Sequence, residues 1–264
     1  MIPKIIHLYW GGAPLSYLRY LTIYSLRKLN PDYEINLHIP KVPFTGEKPW
    51  ITTENSKYYN GKDYLNVAKD ICNVREIDFV DIGFVNDIHE VIKSDVFRNY
   101  IIHKEGGFFT DTDILFFKPI PDFGKDCDNL ICATSGLFAI GFIGGERGSI
   151  FHEDLLQRQI KKARKGLNNY QDFGNQLLLN DSSESIENEY PNTISFFAPL
   201  VYPFEWTGIN KIFLNTVEIH PEAIGIHWYG GSSTAYEYEH LLTEESIRNY
   251  KNTLTVLIEK ILNL

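Results

Sequence analysis

Asp111 and Asp113, separated only by Thr112, sit in the run Gly106-Gly107-Phe108-Phe109-Thr110-Asp111-Thr112-Asp113-Ile114-Leu115-Phe116-Phe117. On an extended chain, residues two apart point to the same side, so both carboxylates can reach one cation or its bound water. Carboxylate oxygens are preferred by hard ions such as Mg²⁺ and Mn²⁺. An ion held there can bridge a diphosphate and stabilise the charge that develops when it leaves. Asp-x-Asp alone is common in surface turns. Here apolar and aromatic residues flank it on both sides, which puts the carboxylates at the end of a hydrophobic strand, where they need a partner.

A second pair lies just upstream in Ser94-Asp95-Val96-Phe97-Arg98-Asn99-Tyr100. On a helix Asp95 and Arg98 share a face. On a solvated face such a pair contributes little. Placed immediately before the glycines and aspartates, Asp95 is suited to accept hydrogen bonds from sugar hydroxyls. Arg98 would then orient it or touch a phosphate oxygen.

The elements that must position these groups follow from periodicity. Lys4 to Trp10 is a short apolar run stopped by Gly11-Gly12 and reads as a buried strand. Pro14 to Leu29 carries apolar residues at helical spacing and closes at Asn30-Pro31. Tyr33 to Ile39 alternates as a second strand, so the chain opens as a parallel βαβ unit of an α/β fold. Residues 40–62, rich in Pro, Gly, Thr and Asn, read as a loop with room for one short helix. Helical patterns return at 62–78 and from about 87 to Lys104, and Phe108 to Phe117 is β-prone throughout. Leu130 to Ile143 predicts one or two strands, Ser149 to Lys165 an amphipathic helix, and Asp172 to Leu179 a shorter one. Thr193 to Phe197 and Glu218 to Tyr229 predict late strands, and Glu244 to Leu262 a final helix. No repeat or linker divides the sequence, so residues 1–264 are expected to form one domain.

The 264 residues, 44% of them hydrophobic, are enough to bury a full core. The formal net charge is −9, with 25 Lys and Arg against 34 Asp and Glu, which argues against nucleic acid as the partner. The basic run Lys161-Lys162-Ala163-Arg164-Lys165 fits a solvated helix end. Cys72, Cys127 and Cys132 form no CxxC pair and fit a reducing compartment. No signal-peptide pattern opens the sequence and no apolar run approaches the roughly 20 residues of a membrane span. The expected location is cytoplasmic. No glycine-rich loop of the P-loop type is present. In haloacid-type phosphotransferases the aspartate pair directly follows the first strand; here it comes over 100 residues in.

The combination Ser-Asp-x-x-Arg, a helix, then Gly-Gly-x-aromatic-x-Asp-x-Asp, here spanning Ser94 to Leu115, resembles the DXD-containing sugar-transferase family. That family includes the yeast-type initiating α-1,6-mannosyltransferases, α-1,4-galactosyltransferases and bacterial capsule enzymes. The glucosylating large clostridial toxins have a similar core. The resemblance implies a GT-A type, Rossmann-like nucleotide-sugar-binding fold with a mixed, mostly parallel sheet flanked by helices. The donor would bind residues up to about 120, while residues 121–264 would form the acceptor side and closing segment. Ile2 to Gly12 looks like the family's opening strand; Leu8, Tyr9 and Trp10 would then line the nucleotide pocket, Trp10 stacking on the base. Asp95, Arg98, Phe109, Asp111 and Thr112 would complete donor contacts, and Asp111 and Asp113 would hold Mn²⁺ or Mg²⁺.

Ala223 to Ser232 is similar to the family's late segment, making His227 the leading further metal contact and Ser232 the next. The usual Ser-Trp after that turn is replaced here by Ser232-Ser233-Thr234. On the acceptor side, Asp172, Asn175 and Gln176 offer hydrogen bonds matched to sugars, although a helix N-cap is the readier role for Asp172. The reaction so implied moves a hexose from a nucleotide-sugar, UDP- ahead of GDP-, to an acceptor hydroxyl of a glycan. The anomeric carbon would keep its configuration, with Asp95, Arg98 and Asp113 as the catalytic set. Hydrolysis of the nucleotide-sugar, or donor binding without catalysis, are the alternatives.

Overall fold

The computed structural model describes residues 1–11, 14–46, 59–125, 127–134, 137–166, 172–178 and 181–264. Eleven strands are described: β1 (Ile5–Tyr9), β2 (Glu34–Pro40), β3 (Asn73–Ile77), β4 (Gly107–Thr110), β5 (Ile114–Phe116), β6 (Asn129–Ile131), β7 (Ala133–Thr134), β8 (Leu137–Phe138), β9 (Phe142–Gly145), β10 (Thr193–Ser195) and β11 (Gly225–His227). The helices are α1 (Tyr17–Leu29), α2 (Leu65–Ala68), α3 (Glu90–Glu105), α4 (Ile150–Ala163), α5 (Ser183–Glu189), α6 (Ile209–Phe213), α7 (Ser233–Leu241) and α8 (Thr253–Leu262).

Seven strands form one mixed, mostly parallel sheet in the order β10-β6-β9-β4-β1-β2-β3, in which only β9 runs against its neighbours. After β3 the chain crosses back through α3 and enters β4 on the other side of β1. The carboxyl ends of β1 and β4 therefore flank a topological switch point, where open α/β sheets leave a crevice for ligands. The crossing ends at Gly106 and Gly107, both with positive φ (75° and 103°). A Cβ on Gly107 would meet the Ile5 carbonyl oxygen at 2.5 Å, so only glycine lets β4 pair so closely with β1.

Strand alternation sorts the core. Ile6, Leu8 and Phe108 join the cluster packed with Leu15, Ile23 and Leu26 around α1. Tyr9 and Phe109 join the opposite cluster with Phe97, Ile101 and Ile102 of α3. A third cluster gathers Leu18, Leu21, Trp228, Leu254 and Ile258, tying the C-terminal helices to α1. Ser16 caps α1, its hydroxyl accepting from the Arg19 N–H, and Ser149 caps α4 in the same way.

Several elements differ from the sequence expectations. The stretch 62–78 holds the short α2 and then the edge strand β3, whose mixed composition reflects one open side. Asp111–Asp113 breaks the expected 108–117 strand: the Ile114 N–H donates to the Asp111 carbonyl oxygen in a turn between β4 and β5. The carboxylates thus converge because of a turn and not through strand alternation. Residues 130–143 contain β6, β7 and β8 and lead into β9. The late strand is confined to Gly225–His227, downstream of Pro221. The last helix starts at Thr253, where Asn252 and Thr255 form a capping box. The loop expected over 40–62 lies mostly outside the described residues.

Candidate active site

A cleft of about 990 Å³ opens at the switch point. One wall is the Asp111-Thr112-Asp113 turn, and each of its residues is held by a different segment. The Asp111 N–H donates to the Gly141 carbonyl oxygen at 2.7 Å. Thr112 Oγ1 accepts from Arg19 Nη1 of α1 at 2.7 Å. Asp113 Oδ2 accepts from the Gly230 N–H at 2.7 Å, and the Asp113 carbonyl from the Trp228 N–H at 2.9 Å.

β5 pairs antiparallel with β11, and the register sets His227 opposite Ile114. That pairing brings His227 Nε2 to 3.2 Å from Asp113 Oδ2. Asp111, Asp113 and His227 each offer an atom within 4.8 Å of the others, a spacing that could hold a metal ion. Two carboxylates and an imidazole are all ligands that divalent cations accept. His227 Nδ1 is buried with no hydrogen-bond partner among the described residues, which a ligand arriving in the cleft could supply. The residues present therefore fit a divalent cation.

Charge is unevenly shared across the cluster. Burial, aided by the like charge of Asp113 and opposed by Arg98, pushes the Asp111 carboxyl up to about 6. For Asp113 burial acts upward too, but His227, Arg19 and the Gly230 N–H outweigh it and hold the group below the usual carboxylate range. Burial pulls His227 downward; the Asp113 charge overcomes this and the net shift is upward.

Across from the turn, α3 presents Asp95 and Arg98, both almost fully buried. Arg98 Nη2 donates to Asp95 Oδ1 at 2.7 Å and lies 3.5 Å from Asp111 Oδ1. Its Nη1 donates to the Ile140 carbonyl at 2.6 Å, and its guanidinium carbon lies 4.8 Å from the centre of the Phe109 ring. The arginine thus bridges the two carboxylate groups with its fork fixed. Two glycines leave room for them: a Cβ on Gly141 would meet Asp111 Oδ2 at 2.7 Å, and one on Gly174 would meet Asp95 Oδ2 at 2.9 Å.

Residues 18–134 match the family described as a glycosyltransferase sugar-binding region containing a DXD motif. The matched stretch runs from α1 through Asp111-Thr112-Asp113 to β7. No curated protein matches it. Among solved structures, "PaToxG Glycosyltransferase" aligns at 19% identity over 72% of this chain and 70% of its own, with a TM-score of 0.50. The galactosyltransferase LgtC, in complex with donor and acceptor sugar analogues, aligns at 13% identity over 91% and 98%, TM-score 0.42. The ligand-free glycosyltransferase domain from the YGT toxin aligns at 10% identity over 99% and 77%, TM-score 0.44. At 19% identity the first likeness is one of fold, and the fold of this chain is of the GT-A type.

Within this glycosyltransferase fold the remaining sequence candidates fall in different places. Tyr9 and Trp10 line the cleft, and Trp10 lies 4.4 Å from the Arg19 guanidinium. Leu8 is wholly buried in the α1-side core and Phe109 in the α3-side core, so both stand behind the cleft wall, because alternation along β1 and β4 turns them inward. Thr112 lines the cleft while anchoring Arg19. Ser232 spends its hydroxyl on capping α7, accepting from the Ala235 N–H at 3.0 Å, and does not line the cleft. Asp172 is buried in an ion pair with Lys162 at 3.0 Å, and Gln176 is exposed; neither lines the cleft, whereas Asn175 does.

Arg19 was not among the sequence candidates. It lines the cleft between Trp10 and Trp228, its Nε donating to Glu239 Oε1 of α7 at 2.8 Å. Glu239 is 4% exposed and also accepts from Ser16 Oγ at 2.7 Å. The pair joins residues 220 apart in sequence, and no local pattern could have signalled it.

Proposed function

We propose that the protein is a metal-dependent retaining glycosyltransferase that moves a hexose from a UDP- or GDP-sugar to an acceptor hydroxyl, most simply of a glycan. The observation that carries this reading is the convergence of Asp111, Asp113 and His227 on one wall of the cleft, with the Asp95–Arg98 pair bridged to Asp111 across it. A bound divalent cation would neutralise the diphosphate and stabilise it as a leaving group. Asp95 would orient the hexose through its hydroxyls, and Arg98, which bonds Asp95 at 2.7 Å, would hold it and meet the diphosphate. The bond from the anomeric carbon to the diphosphate oxygen breaks as a bond to the acceptor oxygen forms on the same face. The acceptor proton passes to the departing phosphate, so no protein nucleophile is needed.

The test is thermal unfolding with UDP-glucose, UDP-galactose and GDP-mannose, each with and without Mn²⁺, followed by product analysis with and without glycan acceptors. One donor should raise the midpoint only when Mn²⁺ is present. Asp113→Asn keeps an oxygen for the Gly230 N–H and should fold, but lose the Mn²⁺-dependent rise and transfer alike. Full activity in Asp113→Asn would sink the metal assignment. Sugar release to water at one rate with or without acceptor would identify a hydrolase.

A further inference from the structure

The acceptor candidates Asp172 and Gln176 do not reach the cleft, yet its volume, about 990 Å³, is at the upper end of what a single small ligand fills. Room for a second substrate is therefore present. Next to His227 the cleft is lined by Phe204, Glu205, Trp206 and Tyr229. Trp206 is 40% exposed, unusual for the largest apolar side chain when it also faces a cavity. It meets Tyr229 edge to face, ring centres 5.6 Å apart. Tyr229 in turn packs on the His227 ring at 4.2 Å and donates its hydroxyl to the Phe204 carbonyl at 2.6 Å.

Tyr229 also has φ +53°, a left-handed conformation that a bulky residue keeps only when its surroundings over-determine it. An aromatic step, locked by backbone and hydroxyl, thus leads from solvent to the imidazole beside Asp113. The exposed carboxylate of Glu205 adjoins it.

We infer that Trp206 is the platform of an acceptor subsite for a neutral pyranoside, with Glu205 accepting hydrogen bonds from its hydroxyls. The inference rests on the glycosyltransferase reading and adds the acceptor's chemical class and place. A pyranose has an apolar face of axial C–H groups that stacks on an aromatic ring and a rim of hydroxyls that a carboxylate accepts from. The negative charge of Glu205 beside the platform disfavours anionic acceptors. Asp95 and Arg98 lie on a different wall, so the platform does not compete with them for the donor sugar.

The experiment uses saturation-transfer NMR on the whole chain with UDP or GDP and diamagnetic Mg²⁺ present. The probes are methyl β-D-glucopyranoside, methyl α-D-galactopyranoside and methyl α-D-mannopyranoside. At least one should receive saturation at its ring-face protons. Trp206→Ala should weaken its binding roughly tenfold, as expected when a stacked aromatic is removed, and Trp206→Phe should restore part of it. The nucleotide-induced rise in unfolding temperature should be the same in both variants, which also shows that they fold. The acceptor inference is overturned if no glycoside gives a signal, or if Trp206→Ala leaves the signal unchanged. No nucleotide-induced rise in the wild type would instead remove the glycosyltransferase reading itself.

Discussion

Replacing Gly174 by Ala probes Asp95 without adding or deleting any polar group. The new Cβ would lie 2.9 Å from Asp95 Oδ2 and 3.1 Å from Ile140 Cδ1, whereas ordinary contact begins at 3.4 Å. Asp95 must therefore move by about 0.5 Å, the limit within which functional groups keep a productive geometry. It cannot do so freely, because Oδ1 is held 2.7 Å from Arg98 Nη2, which itself stands 3.5 Å from Asp111. Displacement of 1 Å costs on the order of 10²-fold in rate, so half of that predicts a loss of about tenfold or more in kcat/KM, or about 1.4 kcal/mol in the transition state. Overpacking should cost about 1–3 kcal/mol of stability, seen as a fall of several degrees in unfolding temperature. The assay is initial-rate nucleotide release from the donor selected by thermal shift, beside Gly225→Ala, whose Cβ meets its neighbours at an unstrained 3.4 Å. Wild-type kcat/KM in Gly174→Ala would refute a role for Asp95 in orienting the sugar.

Two further outcomes concern what holds the cleft together. His7 Nε2 faces the Gly106 carbonyl at 3.0 Å and its Nδ1 faces His38 Nε2 at 3.2 Å; burial lowers the two imidazoles to about 4 and about 2. Between pH 7 and pH 5 the unfolded chain protonates both near 6.5 while the folded chain protonates neither. Stability is therefore present above 6.5 and lost as pH falls, by about 2 kcal/mol per imidazole by pH 5. Urea midpoints at the two pH values should drop less in His38→Gln than in wild type, and equal drops would discard the buried neutral pair. Glu239→Ala strands the Arg19 guanidinium, which is 11% exposed, and should cost about 3–5 kcal/mol in urea unfolding; a cost below about 1 kcal/mol would mean the pair does not anchor α7 to α1.

Sequence pattern alone reaches the DXD turn because carboxylates between Phe109 and Ile114 have no apolar reason to be there. It reaches the Asp95–Arg98 pair because helical spacing puts them on one face. The parallel opening was legible for the same cause, the plain periods of Lys4–Trp10, Pro14–Leu29 and Tyr33–Ile39. β3 was missed because Asn73-Val74-Arg75-Glu76-Ile77 is an edge strand, paired on one side only and lacking a continuous apolar run. Arg19 stands between Leu18 and Tyr20 on an amphipathic helix, where an arginine reads as solvated. Only the docking of α7 turns it into a buried cleft residue. The resemblance of Ile2–Gly12 to the family's opening strand assigns Leu8 to the nucleotide together with Tyr9 and Trp10, although its alternation with Ile6 points it into the core.

The three residues of the DXD turn report on three separate parts of the fold. Asp111 is tied to Gly141 and bridged by Arg98 to Asp95, so its placement depends on the sheet and α3. Asp113 is tied to Trp228, Gly230 and His227, so its placement depends on the segment that follows β11. Thr112 depends on Arg19, and through Glu239 on α7. The cation side and the sugar side of the cleft thus share one turn but rest on different supports. Loosening the stretch from β11 to α7 would release Asp113, His227 and Thr112 together while Asp95, Arg98 and Asp111 stayed in place. The same stretch carries Tyr229, so movement there would alter the proposed acceptor platform and the cation cluster in concert.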